Sequence, residues 1–325
     1  MRICIVGPGS MTIPPKGWGA VEILIDDYRK NLAAMGHEVS IVNTRDRNLI
    51  VWLVNSLNPD FVHVQYDEFA EIVPYLNCKK VALTSHYGYL EQPNRWDPGY
   101  VDIFWNCVNA GAHMFSLSPG ISDMYHRAGM SESKVHVVPN GVRCDLFSFS
   151  EECQRPNESV YLAKVDPRKR QSKLQGIQGL KFVGNCVDPQ FNTGSPDYLG
   201  EWSKSRIYSE LTEFANLVLL SDGEAHPLVC LEAMSAGLGL VLSRPAVANL
   251  DLTLPFITVL SEDDILDKDK VAEAISKNRE ISITMRKEIR EYAETFDWKR
   301  IVSDRYIPLV EAILNEDNRK LQGHG

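Results

Sequence analysis

The sequence predicts an α/β protein of two doubly wound domains, each a parallel sheet flanked by helices. Three features carry that expectation. A β-α-β unit opens the chain, a second series of apolar strands begins after a polar break near residue 150, and 325 residues exceed the ~150 of a typical single domain.

In the opening unit, Arg2-Ile3-Cys4-Ile5-Val6-Gly7 is an apolar run ended by glycine, the pattern of a buried strand feeding a loop. A helix is predicted from about Ala20, because Val21, Leu24, Ile25, Tyr28, Leu32 and Met35 recur at three- and four-residue intervals and Gly36 suits its C′ position. Residues 37–42 return as a strand, and parallel strands joined this way imply a right-handed crossover. Further strands are expected at 60–65, 80–85, 114–118 and 135–138. The polar stretch 147–159, with Pro156, reads as a linker, which places one domain at 1–148 and the next at 149–296. The second strand series is 160–165, 180–184, 216–220 and 238–242, and the tail from 269 to 315 is helical, with Phe296 and Trp298 at a bend.

Composition narrows the function. The chain carries net charge −9, divided as −3 over residues 1–150 and −6 over 151–325, so neither half is the basic module of a general nucleic-acid binder. Seven cysteines are an odd number, without a C-x-x-C pair or a metal-ligand spacing to histidine, which points to a reduced, cytoplasmic protein without structural metal. No run approaches ~18 uninterrupted apolar residues, and the N-terminus lacks the apolar stretch and cleavage site of a secretion signal.

Tandem doubly wound domains bind ligands at the carboxyl ends of their strands, in a cleft between the two. Gly7-Pro8-Gly9 follows the first strand, yet Thr12 stands where a dinucleotide fingerprint needs its third glycine, and no Walker A pattern is present. The most specific segment is 223–237, GEAHPLVCLEAMSAG. Pro227 suits the first turn of a helix and Gly237 its C′ end, which leaves the amides of Leu228 and Val229 pointing at whatever lies before the helix. Such amides, backed by the helix dipole, suit a pyrophosphate. Glu224 precedes the helix and Glu232 lies within it, too far apart in sequence for a close catalytic pair but placed to flank an elongated ligand. His226 is expected to position backbone there rather than to titrate. As a bland alternative, the two glutamates are a loop acid and a surface acid; the spacing and the helix signals favour function.

From Glu224 to Glu232 the chain resembles the E-x7-E motif of the retaining GT-B glycosyltransferases, within them the large family 4, and the likeness extends over nearly the whole sequence. The fold this implies is GT-B: two Rossmann-like domains facing each other across a cleft, the helix near 297–320 rejoining the N-terminal acceptor domain and residues 149–296 forming the nucleotide-sugar donor domain. By the resemblance, Glu224 contacts hydroxyls of the donor sugar and Glu232 the ribose. Gly17, Trp18 and Gly19 correspond to the glycine-rich loop near the donor phosphates and the acceptor; the plainer explanation of the two glycines is a need for positive φ. Ala163–Lys169 corresponds to the basic segment that neutralises the diphosphate, with Lys164 and Lys169 as the pair and Arg168 beside them. Thr84-Ser85-His86 resembles the strand-end histidine near the anomeric carbon, and Tyr198-Leu199-Gly200 the loop beside the base. Val138-Pro139-Asn140-Gly141-Val142 resembles the segment that closes the first domain. The chain departs from the family at Lys164, Arg170 and Arg143, and its 166–179 connection is short.

The resemblance implies transfer of a sugar from a nucleotide-sugar, a UDP- or GDP-sugar first among them, with retention of configuration. Neither metal nor cofactor is needed, since amides and cations stabilise the leaving diphosphate. A nucleotide-sugar epimerase or phosphorylase, a catalytically silent binding protein and a dehydrogenase are the competing readings. For the acceptor, residues 87–105 concentrate aromatics in a loop-like context. Trp18, Tyr89 and Trp96 are expected to line its site, while Phe104 and Trp105 are expected to pack. A glycan or small molecule fits the acidic first half better than a modified nucleic-acid base.

Overall fold

The computed structural model describes residues 1–17 and 19–316, and the chain divides into two units. The first comprises Met1–Asn140 together with the chain from Trp298, and the second Gly141–Asp297.

Six strands form the sheet of the first unit: β1 (Arg2–Val6), β2 (Glu38–Val42), β3 (Phe61–Val64), β4 (Val81–Leu83), β5 (His113–Ser116) and β6 (Val135–Val137). All pair in parallel, in the order β2-β1-β3-β4-β5-β6. β1, β3, β4 and β5 are buried almost throughout because helices cover both faces of such a sheet, which is why they read as unbroken apolar runs. The first crossover helix, Ala20–Ala34, buries Leu24, Ile25, Tyr28 and Leu32 as its periodicity demands, and Gly36 follows its end at φ +84°. Met35 is exposed, because it caps the helix instead of continuing its apolar stripe.

From Trp298 the chain packs into this same core. Trp298 and Tyr306 set their rings 4.7 and 4.9 Å from Tyr28, and Tyr306 also meets Phe61. Ile301–Tyr306 forms a π-helical segment that brings Tyr306 to this position.

The second unit has five strands: β7 (Arg155–Leu162), β8 (Leu180–Val183), β9 (Phe214–Leu219), β10 (Gly239–Ser243) and β11 (Ile257–Leu260). Their order is β11-β10-β9-β7-β8, again all parallel. Two features differ from the sequence expectation. β7 starts at Arg155, inside the stretch read as linker, because its polar first half pairs with β9 through a register irregularity between Arg155 and Ser159. β11 is an edge strand whose middle residues are half-buried, so its short run did not stand out. The division into units falls at 140/141 rather than 148/149, since Val142, Cys144 and Phe147 belong to the core of the second unit.

Both sheets reverse their winding once. In the first the reversal lies between β1 and β3, in the second between β7 and β9. Outside the carboxyl ends of the strands at such a point, the connecting loops diverge and leave a crevice.

Candidate functional site

In the second unit, the two loops at the reversal are 163–170, leaving β7, and 220–227, leaving β9. Tyr161 ties them together. Its buried hydroxyl donates to the Lys169 carbonyl and accepts from the Leu220 amide, at 2.5 and 3.0 Å. Burial holds this phenol well above the usual tyrosine range, so it stays a neutral donor. Further bonds join the same loops: the Asp222 amide donates to the Arg168 carbonyl at 3.1 Å, and the Arg168 guanidinium donates to the Gly223 carbonyl. Asp166 caps the turn, accepting from the Lys169 amide at 3.1 Å.

This scaffold places Lys169 against Glu224 in a direct ion pair, both side chains 11% exposed, with Arg168 at 3.9 Å from the same carboxylate. Two residues assigned to different loops and different parts of the donor are thus partners. Lys164, by contrast, is exposed, and its ammonium has no carboxylate within ion-pair reach among the described residues. The expected Lys164/Lys169 pair is therefore unequal: one cation is free and the other is held by Glu224.

Beyond Glu224 the helix Leu228–Ser235 begins, with Pro227 as the residue before it rather than in its first turn. Among the described residues, the Leu228 and Val229 amides have no carbonyl partner, as the geometry of a helix start requires. Glu232 is half-buried on this helix. His226 is buried, lies against Phe296, and is neutral because burial lowers its pKa to about 4. Gly200 closes the loop after β8: it has φ +73°, and its carbonyl accepts from the Gly184 amide at 2.9 Å.

The far end of the Leu228–Ser235 helix is anchored with equal care. The Gly237 and Leu238 amides return to the Met234 and Ala233 carbonyls, a Schellman closure that Gly237 permits at φ +85°. Arg286, almost fully buried, donates to the carbonyls of Ala236, Phe214 and Ser150, and Arg290 to those of Ser235 and Cys144. Cations at the carbonyl end complement the dipole whose positive end faces the crevice.

In the first unit, a cavity of about 370 Å³ lies at the reversal, lined by Pro8, Arg45, Arg47, Tyr66, Glu68 and Phe69. Arg47 is paired with Glu71, whereas Arg45 bonds the Ser10 hydroxyl at 2.9 Å and has no carboxylate partner among the described residues. His86 follows β4, and its Nε2 lies 2.9 Å from Gln65 Oε1; burial lowers its pKa to about 4.

Gly17 and Gly19 lack positive φ; Gly19, at φ −164°, precedes the Ala20–Ala34 helix, whose first turn already holds the buried carboxylate of Glu22. Positive φ is instead needed at Gly9, where a Cβ would sit 2.4 Å from the Thr44 backbone. Trp96 is half-buried: its indole N–H donates to the Tyr89 and Leu90 carbonyls, and its ring meets Tyr100 and Phe104 at 5.3 and 5.0 Å. The 87–105 segment is thus folded on itself by its own aromatics, with Trp96 part of that packing. Tyr89 is half-buried beneath the Arg95 guanidinium. Trp105, read as a packing residue, is 45% exposed. Trp18 lies outside the described residues.

Sequence reading missed Tyr161, Asp166, Gln65 and His63. The first two had a signal, a tyrosine in a buried strand that needs hydrogen-bond partners and an aspartate before proline at a turn. The triplet Asp267-Lys268-Asp269, a spacing that can hold a metal, is a helix cap: Asp267 accepts from the amides of 269 and 270. Among the described residues, no cluster of three His, Cys, Asp or Glu could hold a metal, and no helix is long and apolar enough to cross a membrane.

In sequence, the chain matches no family model and no curated protein. In structure it has the GT-B fold of glycosyltransferases. It is similar to AviGT4, a glycosyltransferase involved in avilamycin A biosynthesis (TM-score 0.70, 13% identity, 97% of this chain and 98% of that one). Sucrose-phosphate synthase from Thermosynechococcus elongatus aligns over 100% of both chains, with TM-score 0.71 and 17% identity. HepE of Anabaena, solved in complex with UDP-glucose, aligns over 98% of this chain and 100% of that one at TM-score 0.67 and 13% identity. These likenesses establish the fold.

Proposed function

We propose that this protein is a glycosyltransferase that moves a sugar from a nucleotide-sugar to an acceptor hydroxyl, with retention of configuration and without a metal ion. The observation that carries the reading is the set of charges at the β7/β9 reversal: the Lys169–Glu224 pair, Arg168, the free Lys164 and the open amides of the Leu228–Ser235 helix. A nucleoside diphosphate-sugar needs that combination, cations and amides for the diphosphate and a carboxylate for sugar hydroxyls. The UDP-glucose bound to the HepE relative is in keeping with it.

As the glycosidic bond breaks, negative charge grows on the leaving diphosphate. Donors fixed in advance at that position lower the barrier without reorganising. Lys169 is fixed by Glu224 and by the Asp166-capped turn, and the helix amides are fixed by the anchored far end of the helix. In this scheme the diphosphate itself takes the acceptor proton, so no protein base is required on the leaving-group side. Glu232 is assigned to the ribose, Gly200 to the side of the base, and His86 to the carbohydrate. The first unit is assigned to the acceptor, a glycan or small molecule, entering by the cavity beside Arg45 and Tyr66.

A transfer assay tests this. UDP- and GDP-sugars should release nucleoside diphosphate faster when the correct acceptor is present, EDTA should leave the rate unchanged, and the anomeric coupling of the product should match that of the donor. Inversion would overturn the mechanism, and a rate abolished by EDTA and restored by a divalent ion would overturn metal independence. Arg45→Ala should raise the acceptor KM and leave nucleotide affinity unchanged.

A further inference from the structure

His86 stands at the end of a chain of buried hydrogen bonds whose directions are all set by one group. The Thr84 hydroxyl lies 3.0 Å from the Phe115 carbonyl, which can only accept, so that hydroxyl donates to it. Thr84 Oγ1 then accepts from His63 Nε2, 2.8 Å away, which places the His63 proton on Nε2. Its Nδ1 is left as an acceptor, and it is met at 3.2 Å by both the Gln65 side-chain Nε2 and the Tyr306 hydroxyl. With its NH2 turned to His63, Gln65 offers its oxygen to His86 Nε2 at 2.9 Å. His63, Gln65, Thr84 and Tyr306 are at most 2% exposed, so water does not reverse any link.

We propose that Gln65 is a positioning residue that holds His86 in the Nε2–H tautomer, so that Nδ1 offers a lone pair to a hydroxyl of the bound carbohydrate. The inference rests on the glycosyl-transfer reading for the identity of that ligand but not for the tautomer. A proton on Nδ1 would make His86 a donor and suit a ligand carbonyl or ether oxygen; a lone pair there demands a group that can donate. Among the described residues Nδ1 has no protein partner. His86 is thus a specificity element for a hydroxylated sugar over its deoxy analogue. Burial supports the neutral form required, since it lowers the pKa of His63 to about 3 as well as that of His86 to about 4.

The test begins on the wild-type protein, labelled with 15N-histidine, by long-range proton–nitrogen correlation at neutral pH. The expected spectrum shows His86 with protonated Nε2 and bare Nδ1; a proton on Nδ1 overturns the proposal whether or not the protein transfers sugar. Gln65→Met removes the acceptor for Nε2–H and should release His86 to a mixture of tautomers. It should also lower kcat/KM about tenfold and erase a preference of about tenfold or more for a hydroxylated carbohydrate substrate over its deoxy analogue. Gln65→Glu keeps an acceptor oxygen and should keep the Nε2–H signal. A Gln65→Met protein that retains both the wild-type signal and the wild-type preference overturns the assignment. Absence of turnover with the expected His86 signal would instead fall on the proposed function alone.

Discussion

Glu224 and Lys169 form an ion pair in which both side chains are only 11% exposed. Removing one partner of a buried pair leaves the other without compensation, whereas replacing both by apolar groups removes both costs. Glu224→Leu and Lys169→Met should therefore each cost about 3 kcal/mol in urea unfolding, and the double variant Lys169→Met/Glu224→Leu should recover much of the sum. Additive losses would show that the two do not act as a pair. Function separates the glutamates in another way. Glu224→Gln frees Lys169, so affinity for a nucleoside diphosphate should hold or rise while turnover of the intact donor falls; Glu232→Ala should weaken both. Titration calorimetry distinguishes these outcomes, and equal losses of nucleoside diphosphate affinity in the two variants would contradict the roles assigned here.

The buried histidines give stability a direction in pH. Burial lowers the pKa of His63 and His113 to about 3 and that of His86 and His226 to about 4, below the value near 6.5 of an unfolded chain. Between those limits the unfolded state binds protons that the folded state refuses. Stability should consequently fall as pH drops from 6.5 toward 4, by several kcal/mol in total, and stay flat from these groups above about 7.5. Unfolding midpoints across this range would check it, and a protein most stable near pH 5 would contradict the buried neutral state of these rings.

At the scale of elements, the helix Leu228–Ser235 works as a fixed electrode: its open end faces the crevice, and its closed end is pinned by Arg286, Arg290 and the Schellman turn. Gly237→Ala meets φ +85° and the Phe149 ring at 2.9 Å together, and should destabilise the fold by about 1–3 kcal/mol in thermal unfolding. This helix was legible because each of its signals is local: proline before it, glycine after it, apolar sides between. The ion pair beside it was not, because Lys169 and Glu224 are 55 residues apart and meet through the strand order and the loop bonds of Tyr161, Arg168 and Asp222. The same reasoning explains Trp96 and the glycines at 17 and 19. An aromatic-rich loop looks exposed until the rings are seen to fold on each other. A glycine before a helix looks obligatory until its φ is known. Edge strand β11 and the polar start of β7 escaped because a strand buried on one side, or on neither, lacks the continuous apolar run that marked the others.

Over the whole molecule, the two sheets repeat one plan, with the winding reversed next to the first strand of each, and Arg168, Lys169 and Glu224 collect at the second reversal, where that plan predicts a crevice. That level of organisation was the most legible in the sequence, since parallel buried strands must be apolar on both faces and so announce themselves. The central claim is that the crevice at β7 and β9 takes a nucleoside diphosphate. Its most direct test is a melting screen with UDP, GDP, ADP, TDP and CDP. One of them, at about 100 times its dissociation constant, should stabilise the wild-type protein by about 2.7 kcal/mol, and the shift should shrink in Glu232→Ala. A folded protein whose transition moves with none of the five would contradict the account.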